Sequence, residues 1–262
     1  MIVDGRAIAQ KIKGELVLKF KTQPVTRLDV IMVGEDPASL KFVEIKERFG
    51  AAVGVEVRRH EFPEAVLRED LIELLNRLAI DDKSGGIIIQ LPLPAHLNAD
   101  ELIKLIPPAK DVDALAPESR VLPPVAGAVA EILTLQKVKL SGTRAVVVGR
   151  GRLVGMPVSI WLTQAGANVI VADSKTSNLP ELLSTADLIV TGVGKPHLIK
   201  PQMLKDEVVL IDAGTSEAAG ELAGDADPTC AAKCSIFTPV PGGVGPITVA
   251  KLFENLYSLI SG

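Results

Sequence analysis

The stretch Val146-Val147-Val148-Gly149-Arg150-Gly151-Arg152-Leu153-Val154-Gly155 decides the fold. Three β-branched residues in a row read as a strand buried on both faces, at 145–148, and the glycine turn after them opens a helical pattern over 154–165. Strand, glycine turn and helix in that order are the context that a dinucleotide fingerprint requires. The spacing is G-x-G-x-x-x-G, one residue longer than the common Rossmann form. Gly149 and Gly151 let the backbone approach a pyrophosphate, and the N-terminus of the following helix favours its negative charge. Arg152 and Val154 lie within the same turn, which Gly155 closes. A tight strand-to-helix turn without a ligand is the plainer alternative.

Asp173 ends the next strand, 169–172, near the roughly 20-residue offset at which an acid bonds an adenosine ribose 2′-OH. That favours NAD. Arg150, Ser174 and Lys175 are donors or cations suited to a 2′-phosphate, which favours NADP, so the two signals conflict.

Outward from this motif, helical and strand patterns alternate almost throughout the 262 residues, the mark of an α/β protein with mostly parallel sheets. In the first half the patterns predict helices over 7–21, 37–52, 67–80 and 98–106, and strands over 28–33, 55–61 and 86–90. The stretch 107–124, with five prolines, reads as a crossing between domains, followed by a linking helix over 127–135. Further strands are expected over 188–191, 208–212 and 236–237, and a last helix over 246–260.

Apolar residues make up 47% of the chain and aromatic ones only 3%, as suits buried parallel strands covered by helices. A formal charge of −4 offers no basic footprint for nucleic acid. No window approaches the roughly 18 apolar residues of a membrane span. Asp4, Arg6, Lys11, Lys13 and Glu15 are unlike a signal peptide, so a cytoplasmic location is the default expectation. Cys230 and Cys234 read as structural thiols, and with His60, His96 and His197 scattered no metal site is expected. No serine hydrolase triad stands out.

Three features of the chain point to a substrate. Thr238-Pro239-Val240-Pro241-Gly242-Gly243-Val244-Gly245-Pro246-Ile247-Thr248 is a shaped backbone loop, whose glycines admit a close approach and whose Pro246 suits the first turn of a helix. Lys46 shares a helical face with Phe42, one turn earlier; alone it reads as an ordinary solvated charge. Gln90, followed by Leu91 and Pro92, stands just beyond a buried strand, and ligands of open α/β sheets bind outside such carboxyl ends. Asp111 and Asp113 alternate along an extended segment, so one can face a ligand, Asp113 being the better candidate; a charged interdomain loop is the plainer alternative.

Together and in this order, these segments resemble the bifunctional methylenetetrahydrofolate dehydrogenase/methenyltetrahydrofolate cyclohydrolase family over nearly the whole chain. The carriers are Asp4-Gly5, Val33-Gly34 with Ala38-Ser39 and Lys46, Gln90 to Pro94, Lys110 to Asp113, the glycine turn through Pro157, Val193 to Pro196, and the 241–248 loop. The resemblance implies two domains with a cleft between them: a folate-binding catalytic domain over 1–115, joined by the C-terminal helix 246–262, and a Rossmann-like NAD(P)-binding domain over 116–245. It implies oxidation of 5,10-methylenetetrahydrofolate by NADP, or by NAD, then hydrolysis to 10-formyltetrahydrofolate, usually by a homodimer. Lys46, Gln90 and Asp113 would be catalytic, with Phe42, Leu91, Pro241, Gly242 and Gly243 also touching the folate. The cofactor would meet Gly149, Arg150, Gly151, Arg152, Val154, Gly155, Asp173, Ser174, Lys175, Thr191, Gly192, Val193, Gly245 and Thr248.

Some positions depart from the family's pattern. Phe42 replaces its usual tyrosine, so a hydroxyl near Lys46 is missing and hydrolysis is the less secure activity. Pro123-Pro124-Val125 replaces Cys-Thr-Pro, Gly151 a serine, Ala114 a glycine, and Asp173 a common histidine. A dehydrogenase with weak hydrolysis, a shikimate- or amino-acid-type dehydrogenase, and a non-catalytic nucleotide- or folate-binding protein are the competing readings.

Overall fold

A run of seven buried residues, Arg27–Val33, forms β1, the middle strand of a parallel three-stranded sheet with β2 (Glu56–Phe62) and β3 (Ser84–Ile89) on either side. The computed structural model to which they belong describes residues 1–24, 26–218 and 221–262. Helices α1 (Gly5–Phe20), α2 (Pro37–Val53), α3 (Arg68–Ile80) and α4 (Ala99–Ile103) accompany this sheet in the chain. Crossover helices are what parallel neighbours require. Leu71, Leu74, Leu75 and Leu78 recur at helical spacing along α3 and bury against Ile31, Ile87 and Ile89 of the sheet. The charged exceptions inside β1 are Arg27 and Asp29: Arg27 donates through Nε to Asp29 at 2.8 Å while His60 Nε2 lies 2.7 Å from it, so the buried carboxylate is compensated.

After α5 (Pro124–Leu135), a five-stranded parallel sheet is built from β4 (Arg144–Val148), β5 (Asn168–Ala172), β6 (Leu188–Thr191), β7 (Val208–Asp212) and β10 (Cys234–Phe237). The order is β10-β7-β6-β4-β5, the doubly wound arrangement whose direction reverses between β4 and β6. Ligands bind at such a reversal, outside the carboxyl ends of the two strands. The helices α6 (Gly155–Gln164), α7 (Leu179–Ser184) and α8 (Val244–Ser261) complete the chain with a small antiparallel hairpin, β8 (Ser216–Ala218) and β9 (Glu221–Ala223).

The chain divides into two compact units: Gln10–Pro124 with Val249–Gly262, and Met1–Ala9 with Val125–Thr248. The division falls at Pro124/Val125 rather than at the expected 115/116. Met1–Ala9 groups with the unit of the five-stranded sheet, because Ile2 pairs with Phe237 of β10 and Val3 N donates to Phe237 O at 2.8 Å. In the first unit, the end of α8 packs Phe253 on Phe49 with ring centroids 5.0 Å apart, and Asn255 Nδ2 donates to the carbonyls of Val112 and Leu122. Among the described residues no helix is long and apolar enough to cross a membrane.

Candidate functional site

Helix α2 carries the first part of the site. Asp36 caps it by accepting from Ser39 N at 2.7 Å, Pro37 occupies its first turn, and Gly54 ends it in the left-handed conformation at φ 84°. One face then holds Phe42, exposed, and Lys46, half-buried, a single turn apart. Lys46 Nζ donates to Gln90 Oε1 at 2.9 Å. Gln90 is itself fixed at the carboxyl end of β3, since its N donates to Ile31 O at 2.9 Å and its Nε2 to Leu91 O at 2.9 Å. These two strands flank the point where the order β2-β1-β3 reverses, so the lysine and glutamine meet where the first sheet admits a ligand.

Burial pushes the Lys46 ammonium below its ordinary value, and the charge of Asp113 partly restores it. Burial likewise pushes Asp113 up, opposed by Lys46 and reinforced by Asp111. At the ordinary value of 10.5 only roughly one lysine in three thousand is neutral at pH 7. A depressed value makes the free amine, the form that accepts a proton, more accessible than that.

The segment bearing Asp113 is held by main-chain pairing. Ile87 N donates to Lys110 O at 2.8 Å, Asp111 bridges to Ile87, and Lys110 Nζ caps the carbonyls of Leu78 and Asp81. Asp111 points inward, 1% exposed, and accepts from Ala116 N at 2.8 Å, while Asp113 is half-buried. The turn after them puts Ala114 at φ 54°, where a Cβ is strained by about 1–2 kcal/mol. Ala114→Gly is expected to stabilise the protein by about 0.5–1 kcal/mol, after the larger unfolded-state entropy of glycine is offset. Equilibrium urea unfolding checks this, and no gain would mean that the strain is relieved elsewhere.

In the second unit the glycine turn is shaped by backbone contact. Gly149 has φ 110° and donates its N–H to Ala172 O at 2.8 Å. A Cβ on Gly155 would lie 2.0 Å from Gly149 O, so only glycine lets α6 start this close to β4. Gly151, by contrast, has open space where a Cβ would go. The residue before α6, Val154, provides no side-chain cap; Met156 N donates to Gly151 O at 3.1 Å and Pro157 has no N–H, which leaves Gly155 N as the first-turn amide toward an anion. Across the reversal, Gly192 donates to Val148 O at 3.1 Å and packs under Val154, whose Cγ1 is 2.3 Å from where a Cβ would stand. A pyrophosphate fits this cradle: two required glycines, the Gly155 amide at the start of the helix and the cations Arg150 and Arg152 beside them.

At the end of β5, Asp173 accepts from Lys175 N at 2.9 Å and stands 3.5 Å from Arg150 Nη1. The Lys175 amide, and then Arg150, hold its carboxyl below the usual range. Ser174 and Lys175 are exposed beside it.

Two acids that sequence reasoning passed over organise the other strand ends. Asp225, fully buried, accepts from Thr191 Oγ1 at 2.7 Å and from three successive amides, Val193 N, Gly194 N and Lys195 N, at 2.6 to 2.8 Å. It thereby fixes the loop after β6. Asp212, 2% exposed, accepts from Gly214 N and Ala226 N, and burial, with the nearby charge of Asp225, pushes its carboxyl up to about 7. The available signal was glycine: a Cβ on Gly214 or Gly224 would lie 2.2 Å from the carboxyl group of Asp225 or Asp212 respectively.

The 238–248 loop packs on the chain's beginning. Gly5 N donates to Gly242 O at 3.0 Å, Gly242 has φ 106°, and a Cβ on Gly5 would stand 1.7 Å from Gly243 O. The peptide before Pro241 is cis, as is that before Pro92. Helix α8 begins at Val244, so Pro246 lies inside its first turn rather than opening it, and its missing N–H is one of the donors no helix can pair. Thr248 turns its hydroxyl back to Val244 O at 3.1 Å, and Gly245 has open space where a Cβ would stand. Among the described residues there is no group of three or more His, Cys, Asp or Glu side chains placed to hold a metal.

Residues 3–113 match the family description "Tetrahydrofolate dehydrogenase/cyclohydrolase, catalytic domain", and residues 123–261 match its NAD(P)-binding domain. The chain is 39% identical to the bifunctional protein FolD of Campylobacter concisus, covering 97% of this chain and 95% of that one. It superposes on the crystal structure of the bifunctional FolD enzyme of Campylobacter jejuni with a TM-score of 0.96 at 35% identity, over 100% of this chain and 98% of the other. The Trypanosoma brucei FolD structure, complexed with NADP cofactor and an inhibitor, gives 0.94 at 31% identity, over 100% and 97%. With both halves matched and full-length relatives above 30% identity, the chain belongs to the tetrahydrofolate dehydrogenase/cyclohydrolase family.

Proposed function

We propose that the protein oxidises 5,10-methylenetetrahydrofolate to the methenyl cation with NADP and hydrolyses that cation to 10-formyltetrahydrofolate. The observation that carries this reading is the 2.9 Å bond from Lys46 Nζ to Gln90 Oε1, with Asp113 as its electrostatic partner, in a chain of this family. The folate-side unit is assigned to 10–124 with 249–262, and the cofactor-side unit to the remainder.

Bound NADP supplies the hydride acceptor, and that step needs no protein base. Gly149, Gly151 and Gly155, with the Gly155 amide at the start of α6, would hold its pyrophosphate, and Arg150 with Ser174 the adenosine end. Lys46 acts in the second step. As a neutral amine it takes a proton from the water whose oxygen bonds to the methenyl carbon and returns that proton to the ring nitrogen as the carbon–nitrogen bond breaks; the remaining hydroxyl proton leaves to solvent as the formyl C=O forms. Gln90 orients the lysine by accepting its N–H, Asp113 accepts from the pterin amino edge, and Phe42 stacks on the folate. A homodimer is the family habit and is assigned here on that ground. Cys230 and Cys234, buried and unlinked, support a reducing compartment such as the cytoplasm.

Purified protein mixed with 5,10-methylenetetrahydrofolate and each nicotinamide in turn should show reduction of NADP, then decay of methenyl absorbance. No reduction with either cofactor would refute the dehydrogenase. Phe42 favours one variant of this reading, in which hydrolysis is the slower activity because the ring lacks a hydroxyl beside Lys46. Phe42→Tyr should raise the methenyl hydrolysis rate by about tenfold, the lower range of a general acid–base contribution. An unchanged or lower rate would contradict that account of Phe42.

A further inference from the structure

We infer that Asp173 is a cofactor-discriminating residue, which competes with the 2′-phosphate of NADP for Arg150 and gives the protein usable affinity for NAD. The inference rests on reading the glycine turn as the dinucleotide site and adds what sets its choice of dinucleotide.

The placement comes from the sheet. The β4–β5 register sets Val148 opposite Ala172, and Gly149 N donates to Ala172 O, so the residue after Ala172 stands beside the glycine turn. The carboxylate there is fixed rather than trailing in solvent. Lys175 N donates to its Oδ1 at 2.9 Å, Asp173 N donates to Thr176 Oγ1 at 3.0 Å, and Thr176 N closes the turn on Asp173 O at 3.0 Å. The remaining oxygen, Oδ2, faces Arg150 Nη1 at 3.5 Å.

Two chemistries follow from that one oxygen. A ribose 2′-OH is a donor, and an ionised, pre-positioned carboxylate is its natural acceptor. A 2′-phosphate is a dianion that needs Arg150, and it must both displace that side chain from Asp173 and remain beside a negative charge that the exposed Lys175 offsets only in part. The displacement is easy, because the pair is long and Arg150 is 62% exposed, and such exposed pairs contribute little. The like charge is the larger obstacle, and it acts on NADP alone. Gly151 adds no side-chain donor to offset it, although a Cβ and more would fit in its open surroundings.

The test is calorimetric titration of the full chain with NADP and with NAD, for the wild type, Asp173→Asn and Arg150→Met. Asparagine keeps the shape and an oxygen for Lys175 N while removing the charge. Asp173→Asn should tighten NADP binding on the order of tenfold, since one unit of like charge near a partly exposed site is worth about one factor of ten, and weaken NAD several-fold. Arg150→Met should weaken NADP by about tenfold and leave NAD within about threefold. Equal shifts for both dinucleotides in Asp173→Asn, or none for either, would overturn the inference. Because titration needs no turnover, a wild-type chain that binds both dinucleotides and reduces neither contradicts the reaction proposed above, while the shift in ratio still decides Asp173. Binding of neither overturns both.

Discussion

Lys46→Met should lower methenyl hydrolysis by about a thousandfold and leave hydride transfer within about tenfold of the wild type. Methionine keeps the unbranched apolar stem and removes only the nitrogen that bonds Gln90 Oε1 at 2.9 Å. Hydrolysis depends on a group that can lose and regain a proton, and burial has already made the Lys46 ammonium easier to deprotonate. Hydride transfer depends on holding two carbons together, which other groups share. Lys46→Arg separates charge from proton transfer: a guanidinium stays protonated throughout, so it should hydrolyse as poorly as methionine does. Single-turnover measurements of each step on the same preparations give the comparison. Equal loss of both steps in Lys46→Met would assign the lysine to folate binding instead.

Gly155→Ala should destabilise the second unit by about 3 kcal/mol and weaken dinucleotide binding. A single added methyl group would meet Gly149 O at 2.0 Å, Gly149 C at 2.5 Å and Arg150 N at 3.0 Å. All three are backbone atoms, so no rotamer change relieves the clash and the turn itself must open. Gly151→Ala is the matched control, four positions earlier in the same turn with no heavy atom within 4 Å of the added carbon, and should change stability by less than about 0.5 kcal/mol. Denaturant unfolding of the two variants side by side settles it. Equal effects would mean that the cost is loss of glycine's backbone freedom and not the approach of α6 to β4.

What could be read in advance is what depends on local pattern. The buried strands β4, β6 and β7 announce themselves as apolar, largely β-branched runs, and β6 and β7 have the bounds read from them, 188–191 and 208–212. Gln90 and Gly149 were legible as strand-end residues because a run of isoleucines or valines stops immediately before each. Helix α7, six residues long, and the β8–β9 hairpin were not read, since three-residue strands and a helix of under two turns leave almost no periodicity. The placement of Met1–Ala9 depends on a pairing with Phe237, which no local pattern records. Asp225 is the clearest case of a role that only folding creates: its four donors come from residues 30 to 34 positions away. Ala114 shows the reverse, since the sequence marks it as a departure from a glycine pattern and the φ of 54° supplies the reason glycine is favoured there.

The central claim is that one chain performs both steps, with water attacking the carbon that the first step has just oxidised. It is tested most directly by incubating the purified protein with 5,10-methylenetetrahydrofolate and NADP in heavy-oxygen water and identifying the products by mass spectrometry. The account predicts reduced NADP and 10-formyltetrahydrofolate carrying the heavy oxygen in its formyl group, formed faster than methenyltetrahydrofolate hydrolyses without protein. Reduced NADP with methenyltetrahydrofolate decaying only at the protein-free rate would contradict it.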